Sequence, residues 1–423
     1  MRVVVLGAGV TGVAAAWYLN RAGHEVSVLE RQSAAGMETS FANGGQISVS
    51  HAEPWANPHA PWQIVQWLAR EDAPLLFRLR ADWQQWKWGL AFLRECTPAR
   101  TRHNIAQLVN LGLYSRAALQ SLRAQTGIEY HQVTRGILHF YTSSKAWDNA
   151  QAPARVMREF GCDLEMVDAA RCVEIEPALA YARHLIVGAS MTASDESGDA
   201  HAFTQGLAHK CADAGVRFRH GVTVDALETA GSGAARRIEA TRIRNQQGAI
   251  ERVAADAYLL CLGSYSPLLT RPLGMALNIY PAKGYSVTMP VADASRAHHV
   301  SLTDDEYKLV FSRLGDRLRI AGTAELNGYD TELNAVRCNA ILKRAQQLFP
   351  GAGDASQAQF WTGLRPATPS NVPYIGSSRI ANLFLNTGHG TLGWTHACGS
   401  GQAIAEILSG RKPEVDFSFS SKA

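Results

Sequence analysis

The sequence predicts a mixed α/β fold, α+β overall, and three observations support that prediction. A chain of 423 residues, 46% of them hydrophobic, is long enough for two or three domains with buried cores. Short apolar runs rich in Val and Leu alternate with Ala-rich helical stretches, which is typical of a parallel sheet flanked by helices. Glycine-rich turns join strand to helix at both ends of the chain.

Charge and cysteine usage exclude several classes of protein. Lys plus Arg number 41 and Asp plus Glu 37, a net charge of +4 with no basic block, so a nucleic-acid-binding protein is not predicted. The seven cysteines form no C-x-x-C, which predicts neither a disulfide framework nor a metal site and fits a cytoplasmic protein. The sequence contains no run of about 18 apolar residues, so no transmembrane helix is predicted.

The first 30 residues contain the most specific pattern. The apolar run 3–6 predicts a buried strand, and G-x-G-x-x-G follows at 7–12. A helix is predicted over 10–21 and a second strand over 25–29, with Glu30 at its end. Strand, glycine turn, helix, strand and acid in this order predict a Rossmann-like dinucleotide-binding unit.

Each part of this unit has a physical reason. Gly7 makes the tight turn, Gly9 lets the backbone approach a pyrophosphate, and Gly12 lets helix and strand pack closely. The helix N-terminus offers N–H groups to phosphates, and Glu30 can accept the ribose hydroxyls, which argues against NADP. The predicted cofactor contacts of this unit are Gly7, Gly9, Val10, Thr11, Gly12, Glu30 and Arg31.

Two further segments favour FAD over NAD. The polar loop 40–46 can wrap a ligand with backbone and amide groups, although a surface turn is the alternative. A strand at 383–386, a glycine-rich turn at 387–393 and a small-residue helix over 394–408 form a second strand–turn–helix unit. Two such turns suit a long cofactor held at both ends, with the second helix N-terminus stabilising a reduced flavin. The predicted contacts are Ser40, Asn43, Gly44, Gly45, Gln46, Gly388, Gly390, Thr391, Leu392, Gly393, Trp394 and Thr395.

The chain also resembles a known family along nearly its whole length. The segments that carry the resemblance are VVVLGAGVTGVAAAWYL, ETSFANGGQIS, DESGDAHAF, CLGSYSPLL, YPAKGYSVT, GLRPATPSNVPYIG and NTGHGTLGWT. Together they resemble the D-amino-acid dehydrogenase small-subunit type of FAD-dependent oxidoreductase, in the glycine oxidase and D-amino-acid oxidase superfamily.

The resemblance implies the architecture. A Rossmann-like three-layer FAD domain is expected from residues 1–80, 185–275 and 345–423. A discontinuous substrate or cap domain, on a mixed and largely antiparallel sheet, is expected from 81–184 and 276–344. The resemblance also implies a backbone contact from Val224 to the adenine, a turn at Gly263 near the FAD diphosphate, and non-covalent FAD.

The resemblance implies the chemistry as well. An amino acid binds over the flavin, its Cα hydrogen leaves as hydride to N5, and the imino acid hydrolyses to a 2-oxo acid and ammonia. Arg365 matches the family's carboxylate-binding arginine; a surface salt bridge is the alternative. Tyr285 can bond the same carboxylate or pack as a strand aromatic. His51 can face the ring, or be a polar residue without a catalytic role.

Tryptophan is concentrated in one region of the chain. Six of the ten tryptophans lie between Trp55 and Trp88, interleaved with Arg70, Arg78, Arg80 and Lys87. Trp beside basic residues suits a membrane interface, and a dehydrogenase that passes electrons to quinone needs such a contact. We therefore expect a cytoplasmic protein whose tryptophans pack inside the cap, and we keep peripheral binding to the cytoplasmic face of the inner membrane as the alternative hypothesis.

The motifs leave three functions open. The first is a D-amino-acid dehydrogenase that uses quinone or another non-oxygen acceptor, on substrates such as D-alanine, D-proline or a D-hydroxyproline. The second is an oxidase of the same fold that makes peroxide from glycine, sarcosine or a D-proline-type substrate. The third is a flavin-binding subunit of a hetero-oligomeric dehydrogenase. A NAD enzyme leaves the loop 40–46 and the C-terminal turn without a role.

Overall fold

The computed structural model describes residues 1–67, 71 and 73–421. Within these residues the chain forms ten α-helices and twenty β-strands. The helices are α1 (Val10–Arg21), α2 (Ala60–Trp67), α3 (Trp83–Glu95), α4 (Pro98–Thr126), α5 (Ser144–Glu159), α6 (Ala169–Ile175), α7 (Ala200–Asp213), α8 (Ser266–Thr270), α9 (Ala335–Leu348) and α10 (Gly393–Leu408).

The strands fall into two large and two small sheets. They are β1 (Arg2–Leu6), β2 (Glu25–Leu29), β3 (Gln46–Ile47), β4 (Leu75–Phe77), β5 (Ile137–Tyr141), β6 (Leu164–Asp168), β7 (Gly188–Thr192), β8 (Glu196–Ser197), β9 (Arg217–Arg219), β10 (Val222–Ala230), β11 (Arg237–Asn245), β12 (Ile250–Val253), β13 (Ala257–Leu260), β14 (Tyr280–Pro290), β15 (Ser301–Asp304), β16 (Leu309–Leu314), β17 (Arg317–Leu326), β18 (Gln359–Ala367), β19 (Tyr374–Ser377) and β20 (Leu383–Thr387).

The first large sheet has six strands in the order β19-β20-β13-β1-β2-β9. Strand β1 lies in its middle, parallel to both β13 and β2. Val3 and Val5 pack against helices α1, α7 and α10, whereas Val4 and Leu6 pack against the small sheet β10-β11-β12. This alternation places helices on one face and a second sheet on the other, and it confirms the predicted three-layer domain.

The second large sheet has nine strands, in the order β18-β14-β17-β16-β15-β5-β7-β6 with β4 paired to β17. Its pairs are antiparallel except β15 with β5 and β4 with β17. Apolar side chains such as Val287, Leu302 and Ile320 pack against Ile341 and Leu348 of α9. The predicted mixed, largely antiparallel sheet is confirmed.

Strand pairing divides the chain at different points from the segments expected above. Strands β4, β7 and β18 belong to the nine-stranded sheet, although segments 1–80, 185–275 and 345–423 assigned them to the FAD domain. The reason is long-range pairing: β18 pairs with β14 from Tyr280–Ala367 to Thr288–Gln359. The division into five segments stays a prediction, and these pairings would shift three of its boundaries.

Local elements follow the sequence closely at both ends of the chain. Helix α1 has the predicted bounds, and α10 begins at Gly393, one residue before its predicted start. None of the helices among the described residues combines the length and the apolarity that crossing a bilayer requires.

Candidate active site

A cavity of about 1600 Å³ is lined by residues of both large sheets. All the site residues expected from the sequence line this cavity except Gly12 and Gly388. The fold therefore brings together segments from the two ends and the middle of the chain. A cavity of this size with polar groups on its walls is typical of a large bound cofactor together with a substrate.

The glycines of the first turn have different surroundings: Gly12 is packed against the backbone, whereas Gly9 faces the cavity. A Cβ on Gly12 would overlap the carbonyl oxygen of Gly7, so Gly12 is required for the close approach of α1 to the turn. A Cβ on Gly9 would meet only Ser40 Oγ at 3.7 Å, so Gly9 lies open to the cavity. These positions agree with the roles predicted for a dinucleotide-binding turn.

The N-terminus of α1 is partly occupied by the protein itself. The Val10 N–H, predicted to face a phosphate, donates to Ser40 Oγ at 3.1 Å. Thr11 lines the cavity in the same first turn. Ser40 thus fastens the loop 40–46 to the helix whose positive end faces the cavity.

Glu30 is held by the backbone at the end of β2. Its two carboxylate oxygens accept from the N–H groups of Ala8 and Gln32, each at 2.8 Å. Burial raises the pKa of Glu30, against the lowering effect of these two bonds. A carboxylate has about four acceptor sites, so the ribose hydroxyls can still be bound. The guanidinium carbon of Arg31 lies 3.9 Å from the ring centre of Tyr265.

The side-chain amides of Asn43 and Gln46 in the loop 40–46 line the cavity but also bond to the protein. The Gln46 side-chain nitrogen donates to Ser301 Oγ, Leu302 O and Thr303 Oγ1, each at 3.1 Å. Asn43 Oδ1 accepts from the Gly45 N–H at 3.0 Å. The Gln46 nitrogen therefore fastens the loop to the neighbouring sheet, which corrects the expectation that this group wraps a ligand. Contacts from Asn43 and from the loop backbone to a ligand stay predictions.

Asp195 was not expected from the sequence. This fully buried carboxylate accepts from Ser48 Oγ, from the N–H groups of Val49 and Ser50, and from Ser50 Oγ. Burial raises the pKa of Asp195. Its bonds fix the segment that leads from the loop to His51. The signal was available, since Asp195 begins the quoted segment DESGDAHAF.

The C-terminal turn brings a second helix N-terminus to the cavity. Gly388 has φ +81, and a Cβ there would meet Thr368 Cγ2 at 2.9 Å, so its role is in the turn itself. The residues that follow line the cavity and begin α10, namely His389, Gly390, Thr391, Leu392, Gly393, Trp394 and Thr395. The positive end of α10 therefore faces the cavity, as predicted.

Arg365, on β18, brings a cation to the wall of the cavity. Its Nη1 donates to Thr323 O at 2.8 Å and its Nη2 to Gly322 O at 3.4 Å. Burial, with a contribution from Arg337, lowers the pKa of Arg365 to about 10, so the group stays charged at pH 7. In the part of the chain that the structure describes, no acidic side chain pairs with it. A charged fork of this kind in a cavity suits a bound carboxylate, unlike the alternative of a surface salt bridge.

Tyr285 lies beside this cation but is turned into the core. Its hydroxyl donates to Glu325 Oε2, and its side chain is fully buried. Burial raises the pKa of Tyr285, and Glu325 raises it further. The expected bond from this hydroxyl to a substrate carboxylate is therefore corrected, because its hydrogen is already donated to Glu325. The alternative, a strand aromatic that packs on the sheet, describes the observed position.

His51 lines the cavity next to a charged cluster that the sequence did not indicate. The rings of His51 and His139 lie 6.2 Å apart. Asp305 accepts from His139 Nε2 at 3.2 Å and from Lys308 Nζ at 2.7 Å. Burial lowers the pKa of His51 to about 4, and His139 adds to this, so His51 is neutral at pH 7. No motif marks these groups, because 166 residues separate His139 from Asp305.

A flavin dinucleotide fits this arrangement of residues. The open position at Gly9, the acid Glu30 and the first turn of α10 offer what a pyrophosphate, a ribose and a flavin ring require. Val224 and Gly263 line the same cavity. The fold and the site together define a dinucleotide-binding oxidoreductase.

Comparison with known proteins makes this class specific. Residues 2–407 match the family model described as FAD dependent oxidoreductase (DAO), and the chain belongs to that family. The chain is 60% identical over 419 residues to a D-amino acid dehydrogenase of Dechloromonas aromatica, covering 99% of each chain. It is 52% identical to one of Paramagnetospirillum magneticum, over 98% of this chain and 96% of that one.

Solved structures show the same fold at low sequence identity. Glycine oxidase from Geobacillus kaustophilus has a TM-score of 0.74 at 22% identity, covering 98% of this chain and 96% of its own. L-proline dehydrogenase from P. horikoshii has a TM-score of 0.75 at 15% identity, covering 98% and 95%. The predicted fold, family and FAD cofactor are thus confirmed.

Proposed function

We propose that the protein catalyses the FAD-dependent dehydrogenation of D-amino acids. The observation that carries the proposal is Arg365, a half-buried guanidinium that faces the cavity and, among the described residues, donates to carbonyl oxygens but to no acid. FAD, when bound, supplies the acceptor for the hydride from the substrate Cα. The imino acid then hydrolyses to a 2-oxo acid and ammonia. The names of the 60% and 52% identical relatives support this substrate class.

Each residue of the substrate end has a defined task in this proposal. Arg365 binds the substrate carboxylate with N–H groups that its two carbonyl partners leave free. His51 is neutral at pH 7 and can accept a hydrogen bond from the amine. Asp195 fixes the segment before His51, so the imidazole keeps its place at the cavity wall.

The remaining contacts are proposed for the cofactor. Gly9 and the first turn of α1 would face the diphosphate, and Glu30 the adenosine ribose. Val224 and Gly263 would contact the adenine and the diphosphate through their backbones. The first turn of α10 would face the pyrimidine edge of the flavin, where its positive end stabilises negative charge. We propose that FAD is held without a covalent bond.

The test is anaerobic reduction of the purified yellow protein by paired D- and L-amino acids. We expect the oxidised-flavin absorbance to bleach with D-amino acids only. Arg365→Lys should retain FAD but lose about 100-fold in kcat/KM, because a point charge replaces a bidentate fork. Equal bleaching by both stereoisomers, or full activity of Arg365→Lys, would contradict the proposal.

We further propose that the electrons pass to a quinone and that the protein contacts the cytoplasmic face of the inner membrane. Helix α3 supports this, because Trp83, Trp86, Leu90 and Leu93 recur at helical spacing and are each 46–70% exposed. They therefore form one apolar stripe that faces away from the protein.

Basic groups accompany this stripe, and a second helix also carries exposed apolar residues. Lys87 and Arg94 are exposed on the same face of α3, which suits anionic lipid headgroups. Trp62 and Val65 of α2 are also exposed. Arg78, by contrast, is paired with Glu71 and Glu325, and Arg70 lies outside the described residues.

Helix α2 shares an apolar cluster with the buried side of α3, through Ala60 beside Trp88 and Phe92, and it also reaches the cavity. Trp62, Gln63 and Gln66 line the cavity. A lipid-soluble acceptor that leaves the bilayer at this stripe would therefore meet the mouth of the cavity. Trp88, on the opposite side of α3, is buried and donates to Ala367 O at 2.8 Å, so packing in the cap explains this tryptophan but not the exposed ones.

Flotation with vesicles of anionic lipid tests the membrane contact. Trp83→Ser combined with Trp86→Ser should abolish co-flotation while leaving soluble-dye reduction unchanged. Ile250→Ser is the matched control, because Ile250 is 65% exposed on β12 and away from the stripe. Wild-type protein that stays entirely in the soluble fraction would refute the contact without affecting the proposed reaction.

Two assays address the other functions that share these motifs. An oxidase would yield one peroxide per substrate in air, whereas a dehydrogenase would reduce a dye or a quinone in preference to oxygen. A subunit of a hetero-oligomeric enzyme would bind FAD but show no turnover as a purified chain in gel-filtration fractions. We expect turnover by the single chain with little peroxide.

A further inference from the structure

Strand β17 carries an irregularity beside Arg365. Lys283 of β14 pairs with Glu325 of β17, whereas Tyr285 pairs with Gly322. Two steps along β14 therefore match three along β17, which is the signature of a β-bulge with one extra residue. Thr323 lies in this bulge with φ +49. A β-branched residue rarely adopts that conformation, so the surrounding structure must impose it.

Hydrogen bonds to neighbouring segments hold the residues of the bulge in place. The Thr323 N–H donates to Lys308 O at 3.3 Å, and the Ala324 N–H donates to Pro74 O at 2.7 Å. Arg337 Nη2 donates to Ala324 O at 3.1 Å. These bonds leave the Thr323 carbonyl free of the sheet ladder, and it accepts from Arg365 Nη1 instead. Strained backbone held in this way is common at functional sites.

Gly284 and the Thr323 carbonyl form the two sides of a slot that holds the Arg365 guanidinium. Gly284 is the residue of β14 between Lys283 and Tyr285, opposite the bulge, and it pairs with Gly363 of β18. A Cβ on Gly284 would overlap Nη1, Cζ and Nη2 of Arg365. The guanidinium therefore lies directly against the Gly284 backbone, in space that any larger residue would fill.

We propose that the Thr323 bulge and Gly284 are positioning residues that hold Arg365 ready for the substrate carboxylate. The inference rests on the proposed function of Arg365 as the carboxylate-binding group. Neither residue is asked to touch the substrate. Both act through the guanidinium, which lies between the carbonyl of one and the backbone of the other.

The choice of neutral partners explains how the slot works. A guanidinium has five N–H donors, and the two carbonyls use two of them. An acidic partner would neutralise the charge and compete with the substrate, whereas carbonyl dipoles hold the cation and leave its charge available. Because the side chain is ordered on folding, little of its freedom is lost on binding.

The first experiment uses Gly284→Ala holoenzyme and propionate, a carboxylate that cannot reduce the flavin. Titration is followed by the change in flavin absorbance. We expect the propionate Kd to rise by about tenfold or more, since a misplaced anchor loses its binding geometry. FAD content and the spectrum of the free holoenzyme should match the wild type. Gly89→Ala is the control, because a Cβ at Gly89 has nothing within 4 Å.

A double-mutant cycle separates positioning from direct contact. In an Arg365→Lys background, Gly284→Ala should change the propionate Kd by less than about twofold, because the group it displaces has already been replaced. If the effects of the two substitutions multiply, Gly284 acts independently of Arg365 and the proposal is wrong.

Thr323→Gly tests the bulge if Gly284→Ala fails to retain FAD. Glycine adopts φ +49 without strain but allows the bulge to move, so we expect the propionate Kd to rise by about threefold. Unchanged propionate affinity would overturn the role of the bulge. If both variants bind propionate with wild-type affinity and D-amino acids still bleach the flavin, the positioning role is wrong but the proposed function stands. If Gly284→Ala raises the propionate Kd as expected but no D-amino acid bleaches the flavin, the proposed substrate is wrong and the positioning role stands.

Discussion

The proposed cofactor end and the proposed substrate end of the cavity are built from different parts of the polypeptide. At the cofactor end, Gly9 and Glu30 lie within one short stretch of chain and depend on backbone groups of their neighbours. At the substrate end, Arg365 is held by carbonyls of β17 and by the space at Gly284 of β14. The comparison teaches that local backbone geometry forms one end and strand pairing forms the other.

The electrostatics of the two ends differ in the same way. At the cofactor end, both carboxylate oxygens of Glu30 accept from backbone N–H groups. Behind Arg365 at the substrate end, buried Lys283 pairs with Glu325 and Asp330. The first arrangement survives changes in distant side chains, whereas the second depends on each partner being present.

The largest effect is expected from Gly12→Ala at the cofactor end. The new Cβ overlaps the backbone of Gly7, which cannot yield as a flexible side chain would, so α1 must move away from the turn. We expect a loss of about 3 kcal/mol or more in unfolding free energy together with loss of FAD. Urea unfolding and the ratio of flavin to protein absorbance measure the two effects.

Gly9→Ala sharpens this result. Its Cβ would meet only Ser40 Oγ at 3.7 Å, so the fold should remain within about 0.5 kcal/mol of wild type while FAD affinity falls. If Gly9→Ala binds as much FAD as the wild type, then Gly9 does not face the cofactor, and the contrast drawn between Gly9 and Gly12 is wrong.

At the substrate end, Glu325→Gln should cost about 3 kcal/mol in unfolding free energy. Lys283 is only 2% exposed, so the loss of one of its two acids leaves a buried charge poorly compensated. FAD content should stay unchanged, in contrast to Gly12→Ala.

Glu239→Gln is the matched control for this prediction. Its ion pair with Arg252 is exposed on both sides, so its removal should change stability by less than about 1 kcal/mol. Equal losses for Glu325→Gln and Glu239→Gln would show that the buried network does not stabilise the substrate end.

A smaller effect than those of Gly12→Ala and Glu325→Gln concerns pH. Burial lowers the pKa of His298, which packs beneath the nine-stranded sheet, and of His396 in α10, each to about 4. Because the unfolded chain then binds more protons between pH 6.5 and 4, stability is complete above this window and falls as the pH drops through it. At pH 5 each histidine should cost about 2 kcal/mol.

His298→Gln and His396→Gln should each flatten the dependence of stability on pH. Thermal unfolding between pH 7 and 5 measures the slope. Equal flattening by both variants means that the two ends unfold together. A change in only one of two separate transitions would show that they unfold independently.

Local motifs were predictable because their causes lie close in sequence. The bounds of α1, the packing role of Gly12 and the place of Glu30 follow from a turn, a helix and a strand within 30 residues. The Gln46 amide and the Tyr285 hydroxyl were not predictable. Their partners on β15 and at Glu325 are distant in sequence and meet them only when the strands pair.

The sequence by itself determined the dinucleotide-binding unit, the second glycine turn and the family, and it singled out Arg365, which lines the cavity. Tertiary structure decided what surrounds that arginine, including the bulge at Thr323, the slot at Gly284 and the pair of His139 with Asp305. The physical reason is the distance along the chain between the residues that interact. Turn and helix geometry is set by neighbouring residues, whereas the environment of a buried charge is set by whichever strands pairing places around it.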